Sequence, residues 1–368
     1  MDRWFFSDAR GGWGSYTGHI DRRCYPNSSN RGVHIWGSTT VDGEPRLVAG
    51  FATFNRLQVQ EMLKFLGIIY KAESFPWVIL NAKGLFFEAD GAGGQILDFE
   101  DAASVTTTRT QNLRLDPKNV KVVPDGHYMW FRRNGTRLMN EMPVLKEWLL
   151  SSRVVTAPGS AKQSGSGTAT PSRKDKIRPE RRELDGRCRV TGRLALDRGE
   201  PRGKDWSALH SAHVFPLGWI TELNLKQLFS TAAFKMVKEL GLDKQDLLIN
   251  TILMDARVHG WFDDYRFGIW PVEEDGQWYG KIFRFEHNQC DVDGEWLLAA
   301  ARPAKCLRPA HGKRETGEQR QARERDEKDR KEDKTRYNMT NESALRELLK
   351  VHFETCLHWH VKGMGWDK

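Results

Sequence analysis

Seventeen residues from Ala157 to Arg173 are almost entirely Gly, Ser, Thr, Ala and Pro, with no large apolar side chain among them. A run of this kind cannot bury enough surface to offset the entropy of ordering its own backbone, so it reads as a flexible tether. A chain of 368 residues interrupted there should fold as two compact units, each long enough to enclose a core. The expected division is an N-terminal α+β, β-rich domain over 1–152, a flexible basic linker over 153–182 and a second α+β domain over 183–307. A charged segment over 308–340, read as an exposed helix or a disordered insertion, and a C-terminal helix over 341–368 that docks on the second domain complete the chain.

Within the first domain, Val33 to Trp36, Arg46 to Phe51, Trp77 to Leu80 and Tyr128 to Phe131 are short β-rich runs. Asp42-Gly43 and Asn134-Gly135 supply turn signals beside them. Met62, Leu63, Leu66, Ile69 and Tyr70 follow helical spacing from Val59 onward, with Asn55 and Gln58 placed as a capping pair. Met142 to Leu150 reads as a closing helix. In the second domain, Leu225, Leu228, Phe229, Ala232, Met236, Val237 and Leu240 form one near-helical run that Gly241 stops.

The charge balance narrows the partners. Lys and Arg number 57 against 49 Asp and Glu, which leaves a net charge of +8 and suits an anionic partner. No apolar run approaches the roughly 20 residues a membrane helix needs, so no membrane partner is expected. The five cysteines are dispersed and contain no Cys-x-x-Cys pair, which favours reduced thiols over a disulfide framework. With no signal-like apolar core after Met1, the expected location is intracellular, in nucleus or cytoplasm.

Three segments between these landmarks carry chemistry. Cys188-Arg-Val-Thr-Gly192 comes first, then Leu209-His-Ser-Ala-His213-Val-Phe-Pro216, then Asn250 through His259 to Asp263. His213 lies in a strand-like run closed by Pro216, and a neutral imidazole can take a proton from water near neutral pH. His259 and Asp263 stand four apart, which a helix places on one face, and an imidazole with a carboxylate can hold a divalent ion. Asn250 can hydrogen-bond across the loop and fix the segment that bears His213. Together they form a layout for cutting phosphodiesters with one base and one metal ion.

These pieces resemble the HNH endonucleases, in particular fungal proteins with an HNH domain of the second subfamily. The resemblance rests on Cys188-Arg-Val-Thr-Gly192, Ala212-His213-Val-Phe-Pro216, Asn250-Thr-Ile-Leu-Met254 and His259-Gly-Trp-Phe-Asp263, and continues through Phe267-Gly-Ile-Trp-Pro271 and Leu348 to Phe353. It implies a ββα-metal nuclease core with additional helices. In that core His213 is the base, Asn250 the structural asparagine of the catalytic set, and His259 with Asp263 the metal ligands. One divalent ion is implied, Mg²⁺ or Mn²⁺ first and Zn²⁺ or Ni²⁺ as alternatives. Nucleic acid is the implied partner, with DNA the default substrate. Thr251 replaces the family's glycine, Arg257 stands where an aspartate is common, and Ala212 removes a ligand some members carry beside the base. His210 is a candidate to orient phosphate or metal, and Arg257 to alter metal affinity or contact phosphate. The competing readings are a catalytically inactive HNH-fold module that binds nucleic acid or protein, and a ribonuclease.

Two further features have blander readings. Cys188 has no second cysteine pair to complete a zinc site and reads as a buried thiol. Cys356, His358 and His360 alternate along a helix, which splays their side chains apart.

Overall fold

The computed structural model describes residues 4–7, 13–16, 33–38, 45–51, 56–71, 77–81, 105–106, 121–123, 126–134, 137–139, 174–198, 203–242, 247–285, 296–301 and 316–361. The chain divides into two compact units. The first comprises Met1–Trp148, Phe285–His287 and Cys356–Lys368, and the second Leu149–Arg284 and Asn288–Thr355. The proposed turn at Asp42-Gly43, the capping role of Asn55 and the helix over Met142 to Leu150 fall outside the described residues.

In the first unit, β1 (Trp4–Ser7) and β2 (Trp13–Tyr16) form an antiparallel pair. A larger sheet contains β3 (Val33–Ser38), β4 (Pro45–Phe51), β5 (Trp77–Asn81), β6 (Val105–Thr106), β7 (Gly126–Asn134) and β8 (Arg137–Met139). Its order is β4-β3-β7-β8-β6, with β5 also paired to β7. β3 and β7 run parallel, from Val33 against Gly126 to Trp36 against Met129, whereas the other pairs are antiparallel. Helix α1 (Val59–Ile69) buries Met62, Leu63, Leu66 and Ile69, the face its spacing predicts. Its cap is Gln58, whose backbone N–H donates to the Glu61 carboxylate at 3.0 Å, so the capping pair sits three residues beyond the Asn55–Gln58 pair expected.

The second unit begins with a correction. Lys174–Asp185, the basic end of the expected linker, is a helix, α2. Arg181 and Asp185 share one of its faces and are both buried, which a solvated linker end would not allow. The unit continues through β9 (Leu196–Asp197), β10 (Lys204–Asp205), β11 (Leu209–His213), α3 (Glu222–Leu228), α4 (Thr231–Glu239), β12 (Thr251–Asp255), α5 (Ala256–Asp263), β13 (Phe267–Glu274) and β14 (Gln277–Arg284). α6 (Gly317–Glu332) and α7 (Ser343–His360) follow, with the last residues of α7 counted in the first unit. The small sheets β9–β10, β11–β12 and β13–β14 are each two-stranded and antiparallel. The near-helical run after His213 is two helices, because Ser230 accepts from the Ala233 N–H and starts a new one after Phe229.

Charge patterning explains the exposed helix found within 308–340, one of the two forms expected of that segment. In α6, Arg320–Glu324, Arg323–Glu327 and Lys328–Glu332 pair at i,i+4, and Thr316 with Gln319 closes a capping box, so the mixed charges support a helix. Residues 335–339 are bonded into the unit: Ala299 N–H donates to Thr335 O, Tyr337 N–H to Leu297 O and Met339 N–H to Trp278 O. Arg336 lies 4.0 Å from the Tyr279 ring centre and 4.4 Å from that of Trp296, and pairs with Glu274 at 2.6 Å.

One buried carboxylate joins several of these pieces. The Asp185 side chain is fully buried; its Oδ1 accepts from Arg181 at 3.2 Å and Arg189 at 2.5 Å, and its Oδ2 from the Leu253 N–H at 2.9 Å. Arg181 also donates to Thr251 Oγ1 at 3.1 Å and to Leu248 O, and Arg189 to Leu298 O. Helix α2 is thereby tied to β12 at two points. Asp185→Ala leaves two buried guanidiniums without their counter-charge and should cost about 3–5 kcal/mol in denaturant unfolding. An unchanged midpoint would show that the cluster contributes nothing to stability.

Helix α7 supplies the cover for α5. His352 is buried, stacks on Phe262 at 3.7 Å between ring centres, and its Nε2 lies 3.2 Å from Phe262 O. Phe353 packs against Trp270 and Phe283. Burial pushes the His352 imidazole down to about 3, against the opposing effect of the hydrogen bond it gives to Phe262 O. Since the unfolded chain takes up this proton near pH 6.5, stability is full above that pH and falls as pH drops toward 3. Over two pH units below 6.5 the loss is on the order of 2–3 kcal/mol. His352→Leu should flatten this dependence in urea unfolding at pH 6.5 and 4.5, and an identical slope in both proteins would refute it.

Candidate functional site

Strands β11 and β12 pair in antiparallel register from Leu209 against Asp255 to His213 against Thr251. Helix α5 starts at the residue after β12, capped by the Asp255 side chain, which accepts from Arg257 N–H at 3.0 Å. The other Asp255 oxygen is held by Arg193. An antiparallel pair followed at once by a helix therefore lays His259 and Asp263 back along β11, the strand that carries His210 and His213. Val258 and Phe262 fill the buried face of α5 and fix its rotation.

The edge of this ββα unit gathers three of the candidate side chains closely. His259 Nε2 lies 3.2 Å from Asp263 Oδ2, and the His210 and His259 rings meet edge to face with centres 5.7 Å apart. His213, half-buried, is near enough for its charge to act on His259. Burial pushes the His259 imidazole below its ordinary value; Asp263 opposes the shift, and His210 and His213 reinforce it. The site thus favours a neutral His259, the form that can donate a lone pair to a metal ion.

Asn250 has a different position. It is fully buried, its Oδ1 accepts from the Phe215 N–H at 2.8 Å, and its Nδ2 donates to Phe215 O at 2.9 Å. Its own backbone O accepts from Val214 N–H at 2.9 Å. These bonds clasp the two residues after His213, so Asn250 is a positioning residue. Arg257 does not join the cluster: two residues from His259 is about 200° around a helix, and its guanidinium lies 5.1 Å from the ring centre of Trp261.

Cys188 is buried and free, and its sulfur accepts from the Thr191 N–H at 3.3 Å inside a tight turn closed by Gly192 N–H on Cys188 O. Gly192 has φ of 79°, a left-handed conformation that glycine adopts without strain. Cys356 is likewise buried, and burial raises its thiol pKa well above the usual value. Among the described residues no group of three or more His, Cys, Asp or Glu could hold a metal ion. His259 and Asp263 offer two donors, which fits an ion such as Mg²⁺ that keeps water and substrate phosphate in its remaining positions. The same pair does not make a closed four-ligand zinc centre.

The residues that sequence reasoning missed are Asp185 with Arg181 and Arg189, and Asp255 with Arg193. The spacing of Arg181 and Asp185 at i,i+4 was a visible signal, masked by Pro179 and the basic composition around it.

Removing the Asn250 side chain would leave the buried Phe215 N–H and C=O without these partners. Asn250→Ala should cost about 3 kcal/mol in urea unfolding. Equal stability of variant and parent would show that the clasp does not hold this segment.

Residues 188–269, less than a quarter of the chain, match the family model of the HNH endonucleases. The match runs from the Cys188 turn into β13 and contains the β11–β12–α5 unit with every residue of the cluster. Nucleases of this family act on nucleic acid and generally use a divalent metal ion. No curated protein and no solved structure was found to match the chain. Among the described residues no helix is long and apolar enough to cross a membrane.

Proposed function

We propose that the chain is a metal-dependent endonuclease that hydrolyses phosphodiester bonds, with DNA as substrate, and that His213 is its general base. The observation that carries this reading is the meeting of His210, His259 and Asp263 on one edge of a ββα unit whose first strand ends at His213, inside the segment that matches the HNH endonucleases.

In this reading His213 takes a proton from the water that attacks phosphorus. The Asn250 clasp holds the turn after it, so the imidazole stays aimed while the proton moves. His259 and Asp263 would hold one Mg²⁺ or Mn²⁺ ion, which would supply charge stabilisation to the phosphate oxygens. His210, exposed beside His259, orients the phosphate. The ring of Phe262, packed under His352, keeps the turn of α5 between His259 and Asp263 from rotating.

Plasmid nicking in Mg²⁺ or Mn²⁺ tests this function, with EDTA as the control for metal dependence. His213→Ala should lower the rate about 10²–10⁴-fold. If wild type and His213→Ala are equally inactive across both metals and across duplex DNA and single-stranded RNA, the fold here serves binding without catalysis.

A further inference from the structure

Beside the β11–β12 pair, two cations gather near one indole and a third stands next to one of them. The Arg182 guanidinium lies 5.9 Å from the ring centre of Trp206, and the Lys204 ammonium 5.6 Å from it. Arg178 stands one turn before Arg182 on α2, at i,i+4. None of the three makes an ion pair with a carboxylate of the described residues. The neighbouring acid Asp205 is engaged by Arg198 at 2.5 Å and by the Ser207 N–H at 2.9 Å, and Asp197 stands across the β9–β10 ladder from Lys204.

Arg182 is the least compensated of the set. Its Nη2 reaches Trp206 O and Leu209 O only at 3.5 Å, the outer limit of a hydrogen bond, and its buried Nε has no partner. Burial, and then the charge of Arg178, push its pKa down. A partly desolvated cation without a counter-charge carries an energetic cost that a bound anion offsets.

The position of this cluster connects it to the site. The Leu209 N–H donates to Trp206 O at 2.9 Å, closing the turn that opens β11, and the first N–H of α5, from Ala256, donates to Ala208 O at 3.0 Å. The turn over 206–208 is therefore bonded to both elements that carry the cluster, and Trp206 stands four residues before His210. The interaction with the indole also leaves both cationic heads available to a second, anionic partner.

We infer that Arg182 and Lys204 at the Trp206 ring, with Arg178 one turn before Arg182, form a subsite for the phosphate backbone of the nucleic-acid strand, next to the bond that is cut. The subsite rests on the nuclease reading for the identity of its ligand. It holds phosphates and contacts no base edge, so it fixes the register of the strand without reading its sequence.

The test is binding of a fluorescently labelled oligonucleotide to the full chain in EDTA, followed by anisotropy over a range of salt. The double variant Arg178→Gln with Lys204→Gln changes two exposed side chains and does not endanger the fold. Two lost phosphate contacts should reduce the slope of log affinity against log salt by about 1.4 on single-stranded DNA, or about 1.8 on duplex. Arg182→Gln should weaken binding further, and Arg182→Lys should restore part of it. The weakening should be the same for oligonucleotides of different sequence. An unchanged salt slope in the double variant overturns the subsite, and a loss confined to one sequence overturns its assignment to the backbone. Because binding is read without cleavage, failure of the nicking assay would overturn the nuclease and leave this result to stand or fall by itself.

Discussion

The second unit depends on one buried carboxylate. Asp185 stands at the end of α2 and takes donors from its own helix, from the Cys188 turn through Arg189, and from the backbone of β12. Arg189 N–H donates to Leu253 O and Leu298 N–H to Arg189 O, so the same residue also extends β12 sideways into the 296–299 segment. Glu342, half-buried near both arginines, has its carboxyl pKa raised by desolvation, while Arg189 and Arg181 oppose the shift. A charge cluster this deep is costly unless its donors find acceptors, and meeting that need for all but Arg189 Nη2 restricts the arrangement of the elements around it.

From that anchor the geometry of the site follows by short steps. β12 is held on one edge by Arg189 and on the other by β11, and α5 leaves it with no intervening loop. The rotation of α5 is then set by Val258 and Phe262, with His352 stacked beneath the latter. The Asn250 clasp does the same for the far end of β11, where a side chain amide substitutes for a missing stretch of ladder. His259 and Asp263 thus ride on a helix whose rotation is set by buried neighbours, and the segment after His213 is held by a buried amide.

Much of this was legible in the residues. The i,i+4 step from His259 to Asp263, the strand bearing His213 and the apolar face of α1 are patterns of period 3.6 or 2, and local sterics alone enforce them. Other elements were not. The linker-like α2 becomes a helix because Arg181 and Asp185 find partners 66 or more positions away, at Thr251, Leu248 and Leu253. The 335–339 rib is ordered by the backbones of 278 and 297–299, none of which is near it in sequence. Arg257 reads as a site residue from its nearness to His259, yet the helix turns it to another face.

By itself the sequence determined the strands and helices whose periodicity is local and the chemical identities of the donors around His213 and His259. Tertiary structure alone decided which of those donors meet: His210 joins His259, Arg257 leaves, Asn250 closes on Phe215 backbone, and Trp206 collects two cations. The physical reason is range. Periodicity and capping act within a turn or two of chain, whereas burying Asp185 selects among distant segments the few whose hydrogen bonds can satisfy it.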